Sequence, residues 1–258
     1  MAEPETDISL RAAQVAADVT EAEQPQERRR LASSFAKAAS SGARAAGRGT
    51  RVVRGGVSAR SAARRGANAG TGYLVAQVIT MAPRLRVRNQ AALQARFPGK
   101  APDEIAQALI EGAARASAAV GGAGGVVSVL PVLPAFPAEV VAETLVVVGI
   151  EIKLVAELHE AYGTPASGKF PERMSPYVAA WAHRRGVSMI PGGVIFAAGS
   201  PLTRLLRRRL AVRAGRSAFS LGPLLTGAAA GAILNGRETR RLGNNIRNDL
   251  LRRALGKP

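Results

Sequence analysis

Apolar residues recur at helical spacing from Tyr73 to the end of the chain, and prolines and acids mark where the helices begin. Pro102-Asp103-Glu104 puts a proline and two acids in a first turn, and Pro137 precedes Glu139. Ser175-Pro176 and Ser200-Pro201 each set a capping hydroxyl before proline. These signals predict helices over 74–97, 103–125, 138–162, 176–185, 201–214 and 221–255, with an earlier one over 8–20. Strand-like alternation is scarce; Val126 to Val132 is the best candidate and fits a buried helix end or turn better. No repeat of solenoid period is visible. The expected class is all-α.

Residues 21–72 read differently. Alanine, serine, glycine and arginine repeat there with Phe35 as one of few bulky apolar side chains, too little to offset the entropy of ordering the backbone. A mobile arm or frayed helix is expected, so the chain divides into a largely disordered arm over 1–70 and a helical domain over 71–258.

Four windows carry no charge: Gly66–Pro83, Ala116–Ala138, Gly186–Thr203 and Ser217–Gly236. In a chain of net charge +18 such gaps call for apolar surroundings, either a core or lipid. Ala116–Ala138 is loosened by Gly121, Gly122, Gly124 and Gly125 and broken by Pro131, Pro134 and Pro137, which suits a bent helical hairpin better than a straight span. Beyond the bend, seven apolar residues from Val140 to Ile150 gain roughly 2–4 kcal/mol on insertion, and each central carboxylate costs roughly 2.5–3.5. Glu139 and Glu143 therefore cancel the gain. Ser217–Gly236 has spanning length with no acid and no such three-proline bend, and its Gly227-Ala-Ala-Ala-Gly231 segment is a small-residue face that suits close helix packing at Gly227 and Gly231.

Charge falls in blocks. Residues 1–27 hold seven acids and one arginine, 28–65 eleven bases and no acid, 101–162 eight acids and two bases, and 186–258 thirteen bases and two acids. Basic flanks attract polyanions, which means anionic lipid headgroups or nucleic acid. A GC-rich coding bias also produces arginine-rich composition, since 31 of the 36 bases are arginine. Tyr177 and Trp181, one turn apart and followed by Arg184 and Arg185, have the make-up of an interfacial belt, and packing into the core is the competing reading. Arg207, Arg208 and Arg209 add a further cationic cluster. Nucleic-acid binding through the arm is the main alternative, but between Ala36 and Asn68 no aromatic is present to stack on a base.

Catalytic signals are sparse. The chain has no cysteine, which removes disulfides and thiolate chemistry. Gly163-Thr-Pro-Ala-Ser-Gly168-Lys169 matches most of a phosphate loop, but Phe170 replaces the hydroxyl residue and the loop follows a helix; Gly163 fits better as a helix C-terminal cap. Glu139, Glu143 and Glu157 fall within about 40° on one helix face, and the expected partners of this acidic stripe are the arginines of the C-terminal helices. His159 and His183 are the only histidines, with no metalloprotease or serine-hydrolase motif. No catalytic residue, cofactor or metal is proposed. The acidic N-terminus lacks the basic and apolar regions of a secretory signal.

The run Asp103 to Arg115, the glycines of 121–125, the proline-rich bend, a helix closing on Glu157-Leu-His-Glu-Ala-Tyr162-Gly163, and the distal Gly222 to Gly231 segment followed by Asn235 together resemble the EcsC protein family. The resemblance covers about 160 residues from near 100 onward. It implies a bacterial, mostly helical, membrane-associated accessory protein without an established enzymatic activity, linked to an exporter or envelope process. A transporter or envelope protein is then the expected partner, at the cytoplasmic face of the cell membrane.

Overall fold

Prolines at Pro4 and Pro25 begin the first two helices, α1 (Pro4–Glu21) and α2 (Pro25–Ala46). The structure, a computed structural model, describes residues 4–46, 74–127, 138–169, 172–190, 193–196 and 224–255. A helix over 74–81 (α3) runs into a short 3-10 turn at Ala82–Arg84, and α4 follows at Gln90–Arg96. Then come α5 (Pro102–Val127), α6 (Ala138–Ala161), α7 (Met174–Arg185), a pair of short strands, β1 (Val187–Ile190) and β2 (Gly193–Phe196), and α8 (Leu224–Ala254). The fold is all-α in class, with one short antiparallel hairpin among the described residues, in which Val187 faces Phe196 and Ile190 faces Gly193.

The helix ends follow local chemistry. Asn89 caps α4 by accepting from the Ala92 amide at 2.9 Å, and Glu104 reaches back to the Ala101 amide at 2.8 Å as the return half of a capping box. At the far end of α6, Gly163 takes φ 67° and the Thr164 amide reaches the His159 carbonyl at 2.9 Å. That six-to-one bond needs a residue free of a Cβ penalty at position 163.

Helix α6 is the centre of the molecule. From Val141 to Leu158 every residue except Glu143 is buried, which is what a helix apolar around most of its circumference must do. Helices α1, α2, α5, α7 and α8 pack around it, and α5 packs in turn along α8. Contact with α1 is close at Gly149, where a Cβ would stand 2.9 Å from that of Ala16.

Three expectations change. Helix α1 covers the helix expected over 8–20, but the rest of the expected arm is, as far as Ala46, the helix α2, and Ala12, Ala16, Val19, Ala32 and Phe35 of the two helices join the core; alanine suffices there because it lets helices approach closely. Residues 47–70 lie outside the described residues. The helix expected over 74–97 is broken after Met81, because Pro83 removes an amide, and residues 85–89 are extended. The hairpin at 187–196 was not expected, although β-branched residues flank a Pro-Gly-Gly sequence there. The helix expected over 201–214 and the bend at 128–137 lie outside the described residues.

Candidate functional site

Helix α6 is apolar enough to be central yet carries Glu151, Lys153, Glu157 and Glu160 in buried positions. Three of these serve the extended segment that Pro83 creates. Such a segment has no ladder partner, so its amides and carbonyls need other company. Lys153 Nζ donates to the Arg86 carbonyl at 2.6 Å, Glu157 Oε1 accepts from the Arg88 amide at 3.1 Å, and Glu160 Oε2 accepts from the Gln90 amide at 3.2 Å. Residues 86 and 88 share one side of the extended segment, Gln90 opens α4 directly after it, and 153, 157 and 160 share one face of a helix. The two periods match, so α6 acts as the missing strand.

The same groups close an ion cluster. Arg88 grips Glu157 with Nε at 2.8 Å and Nη2 at 2.7 Å, Lys153 meets the same carboxylate at 2.6 Å, and Glu21 lies 3.8 Å from Lys153. Burial alone would raise the Glu157 carboxyl; the Arg88 hydrogen bonds and the Lys153 charge outweigh it and hold the group below its ordinary range. Glu160 is joined by Arg173 at 2.5 Å.

A second buried cluster ties α5, α6, α7 and α8 together. Glu151 receives the Trp181 indole at 2.8 Å and a two-pronged contact from Arg185, and Thr239 donates to its Oε1 at 3.1 Å. Thr239 also meets Ser117 at 2.9 Å, and Arg185 reaches Glu238 at 3.3 Å. Along the α5–α8 contact, Arg240 holds Glu111 at 2.7 and 2.8 Å, and Arg247 holds Asp103 at 2.6 and 2.5 Å. Tyr162 donates to the same Asp103 at 2.7 Å. Beyond the Glu111–Arg240 pair the helix backbones nearly touch: a Cβ on Gly121 would lie 2.6 Å from the Gly231 carbonyl oxygen.

These placements revise the residue assignments made from sequence. Tyr177, Trp181 and Arg185 are buried, at 3%, 3% and 6% exposure, so their assignment to lipid contact is corrected. The Tyr177 hydroxyl accepts from the Ala166 amide at 2.8 Å, and Trp181 and Arg185 are held by Glu151. Arg184 is half-buried against Asp249. Arg207, Arg208 and Arg209 lie outside the described residues. Gly231 sits at the α5–α8 crossing, whereas Gly227 belongs to the first turn of α8. In the acidic stripe, Glu157 pairs with Arg88 and Lys153 instead of C-terminal arginines, Glu143 is half-buried, and Glu139 lies in the first turn of α6. The C-terminal arginines Arg240 and Arg247 turn to acids of α5.

The outer side of α8 is basic. Ile233, Arg237, Arg241, Asn244, Asn248 and Arg252 are all exposed and fall within an arc of about 100°. Ile233 is 65% exposed at the junction between the uncharged and basic halves of the helix. Sequence reasoning missed this face, although the i, i+4 spacing of 233, 237 and 241 was its visible signal. Among the described residues no helix is long and apolar enough to cross a membrane, and no group of three or more potential ligands is arranged for a metal ion. No family model matches the chain, and no curated protein or solved structure matches it.

Proposed function

We propose that the protein is a non-enzymatic, membrane-associated helical protein that attaches peripherally to an anionic lipid surface through the outer side of α8. The observation that carries this reading is the exposed row of Arg237, Arg241 and Arg252 beside the exposed Ile233. Arginines at headgroup level, each contributing about 1 kcal/mol, together with a shallow apolar contact suffice for reversible attachment. The ionic groups of α6 support a packing role, since they join helices to one another. An accessory part beside a transporter or envelope protein at the cytoplasmic face belongs to the same proposal and rests on the EcsC resemblance.

Fractionation of the expressed protein tests it. Retention with membranes at low salt, release by high salt, and loss of retention in the double variant Arg237→Glu/Arg241→Glu are expected. Recovery wholly in the soluble fraction at low salt overturns the reading. So does binding to DNA with none to anionic vesicles, which would favour the nucleic-acid alternative.

A further inference from the structure

Among the described residues four bulky apolar side chains are largely exposed, and two of them share one side of one helix. Ile233 is 65% exposed and Leu255 is 67% exposed. The Leu255 amide donates to the Leu251 carbonyl at 3.0 Å, so residue 255 keeps the pitch of α8. The steps from 233 to 255, at 100° and 1.5 Å each, put Leu255 about 40° round from Ile233 and about 33 Å along the axis.

Charge between these two ends is concentrated. Arg240 is held by Glu111, Arg247 by Asp103 and Arg252 by Asp249. Arg237 and Arg241 are exposed and pair with no acid among the described residues. The acids of α8 itself are Glu238, joined to Arg185, and Asp249, joined to Arg184 and Arg252. Both lie outside the arc that holds Ile233, Arg237, Arg241 and Leu255. Asn244 and Asn248, exposed within that arc, add hydrogen-bonding groups without charge. Along its length this side therefore runs apolar, cationic, polar and apolar again.

One exposed leucine or isoleucine is ordinary on a protein surface. Two on one line, with unpaired cations between them, match a surface that is anionic at its face and apolar just beneath. We propose that α8 lies flat on an anionic bilayer, with Leu255 as a second point of insertion equal to Ile233 and with Arg237 and Arg241 against lipid phosphates between them. The proposal rests on the reading of α8 as the membrane-facing helix and adds its orientation and its far anchor. A second copy of the chain fits this side less well. Antiparallel pairing about Asn244, the midpoint of 233 and 255, sets Ile233 against Leu255 but brings Arg237 and Arg241 of both copies into one interface with no acid among them.

Flotation of the full chain with phosphatidylcholine vesicles containing phosphatidylglycerol provides the test. Leu255→Ser and Ile233→Ser each remove an exposed side chain and leave the core alone, and each is expected to weaken partitioning by about tenfold. Leu255→Trp gives a second measure. Its emission should shift to the blue on the vesicles, and brominated acyl chains should quench it to the same extent as Ile233→Trp, above the signal of Trp181 in the unaltered protein. Full binding in Leu255→Ser with the loss confined to Ile233→Ser, or a Leu255→Trp that the bromines do not quench, overturns the flat orientation and leaves attachment through α8 standing. Absence of any binding by the unaltered protein overturns both. Sedimentation without lipid decides the other occupant: a dimer that dissociates in Leu255→Ser and in Ile233→Ser assigns this side to a second copy and overturns the proposal.

Discussion

Trp181 donates its indole N–H to Glu151 at 2.8 Å, and both residues are buried. The bond decides what Glu151 is for. Its carboxylate also takes Arg185 and Thr239, so one acid on α6 fixes α7 and α8 together. A buried pair of this kind adds little over a well-packed apolar pair, yet losing one member leaves an uncompensated charge. Glu151→Ala is expected to destabilise the protein by about 3–5 kcal/mol in urea unfolding. Glu151→Leu/Arg185→Met should recover part of the loss. A double variant no more stable than Glu151→Ala would mean that the ion pair is not what sets the cost.

Lys153 poses the same question for the segment after Pro83. It is fully buried, and its ammonium is held by the Arg86 carbonyl and Glu157. Lys153→Met keeps the stem but leaves that carbonyl without this donor and removes one of two cations from Glu157. A loss of about 2–4 kcal/mol is expected. Hydrogen exchange should show the amides of Arg88 and Gln90 opening more readily than those of α5. Equal protection at all these sites would contradict α6 as the partner of the extended segment.

Two glycines of α5 separate close packing from helix propensity. At Gly121 a Cβ would meet the Gly231 carbonyl oxygen at 2.6 Å, whereas at Gly112 it would meet nothing within 4 Å. Gly121→Ala must push α8 away and should cost about 1–3 kcal/mol. Gly112→Ala adds no clash and should stabilise by about 0.5–1 kcal/mol. Effects of the same sign and size would show that α5 and α8 are not in this contact.

What could be read in the sequence were features written in local chemistry. The starts of α5 and α6 follow Pro102 and Pro137, and the end of α6 follows Gly163. What could not be read were choices between partners. Nothing near Glu157 in sequence says that its arginine is Arg88, 69 residues away, instead of one on α8. Trp181 beside Arg184 and Arg185 has interfacial composition whether or not an acid waits inside; Glu151, 30 residues earlier, moves it to the core. Helix α2, and the core role of α1, were missed for another reason. Their buried faces are mainly alanine, which has little hydrophobic weight in a window but allows the close approach seen between Ala16 and Gly149.

The paired acids and His159 set a direction for pH. Burial first, with Arg253 assisting against the Val155 hydrogen bond, lowers the His159 imidazole below its ordinary 6.5. Glu157 is held below its ordinary 4.5 and Asp103, through Arg247, below 3.8. For all three the unfolded chain binds protons more readily, so their stabilisation is present above the unfolded values and is lost as pH falls through the folded ones. Tyr162 works at the other end. Burial, and then Asp103, push it up to about 12, so its share is full below its ordinary 10.0 and is lost as pH rises toward 12. The urea midpoint should therefore be highest near neutrality, begin to fall below about pH 6.5, and fall again above about pH 10. A midpoint flat from neutrality to the carboxylate range would show that these pairs do not form in solution.

The single tryptophan makes the mode of membrane attachment measurable. Trp181 is 3% exposed, its indole N–H is taken by Glu151, and α7 holds it against the bundle. The outer side of α8, where the exposed Ile233 lies, contains no fluorophore. If attachment is peripheral and leaves the bundle folded, vesicle binding should leave the emission maximum of Trp181 unchanged, and brominated acyl chains should not quench it. Opening of the bundle into the bilayer would break the Glu151 bond and bring the indole within reach of the bromines. A tryptophan placed on the outer side, as Ile233→Trp, should instead shift to the blue and be quenched, because apolar side chains on a surface helix enter the headgroup boundary by about 5–10 Å. Quenching of Trp181 in the unaltered protein would replace peripheral attachment with insertion, and an unresponsive Ile233→Trp that still binds vesicles would move the contact away from α8.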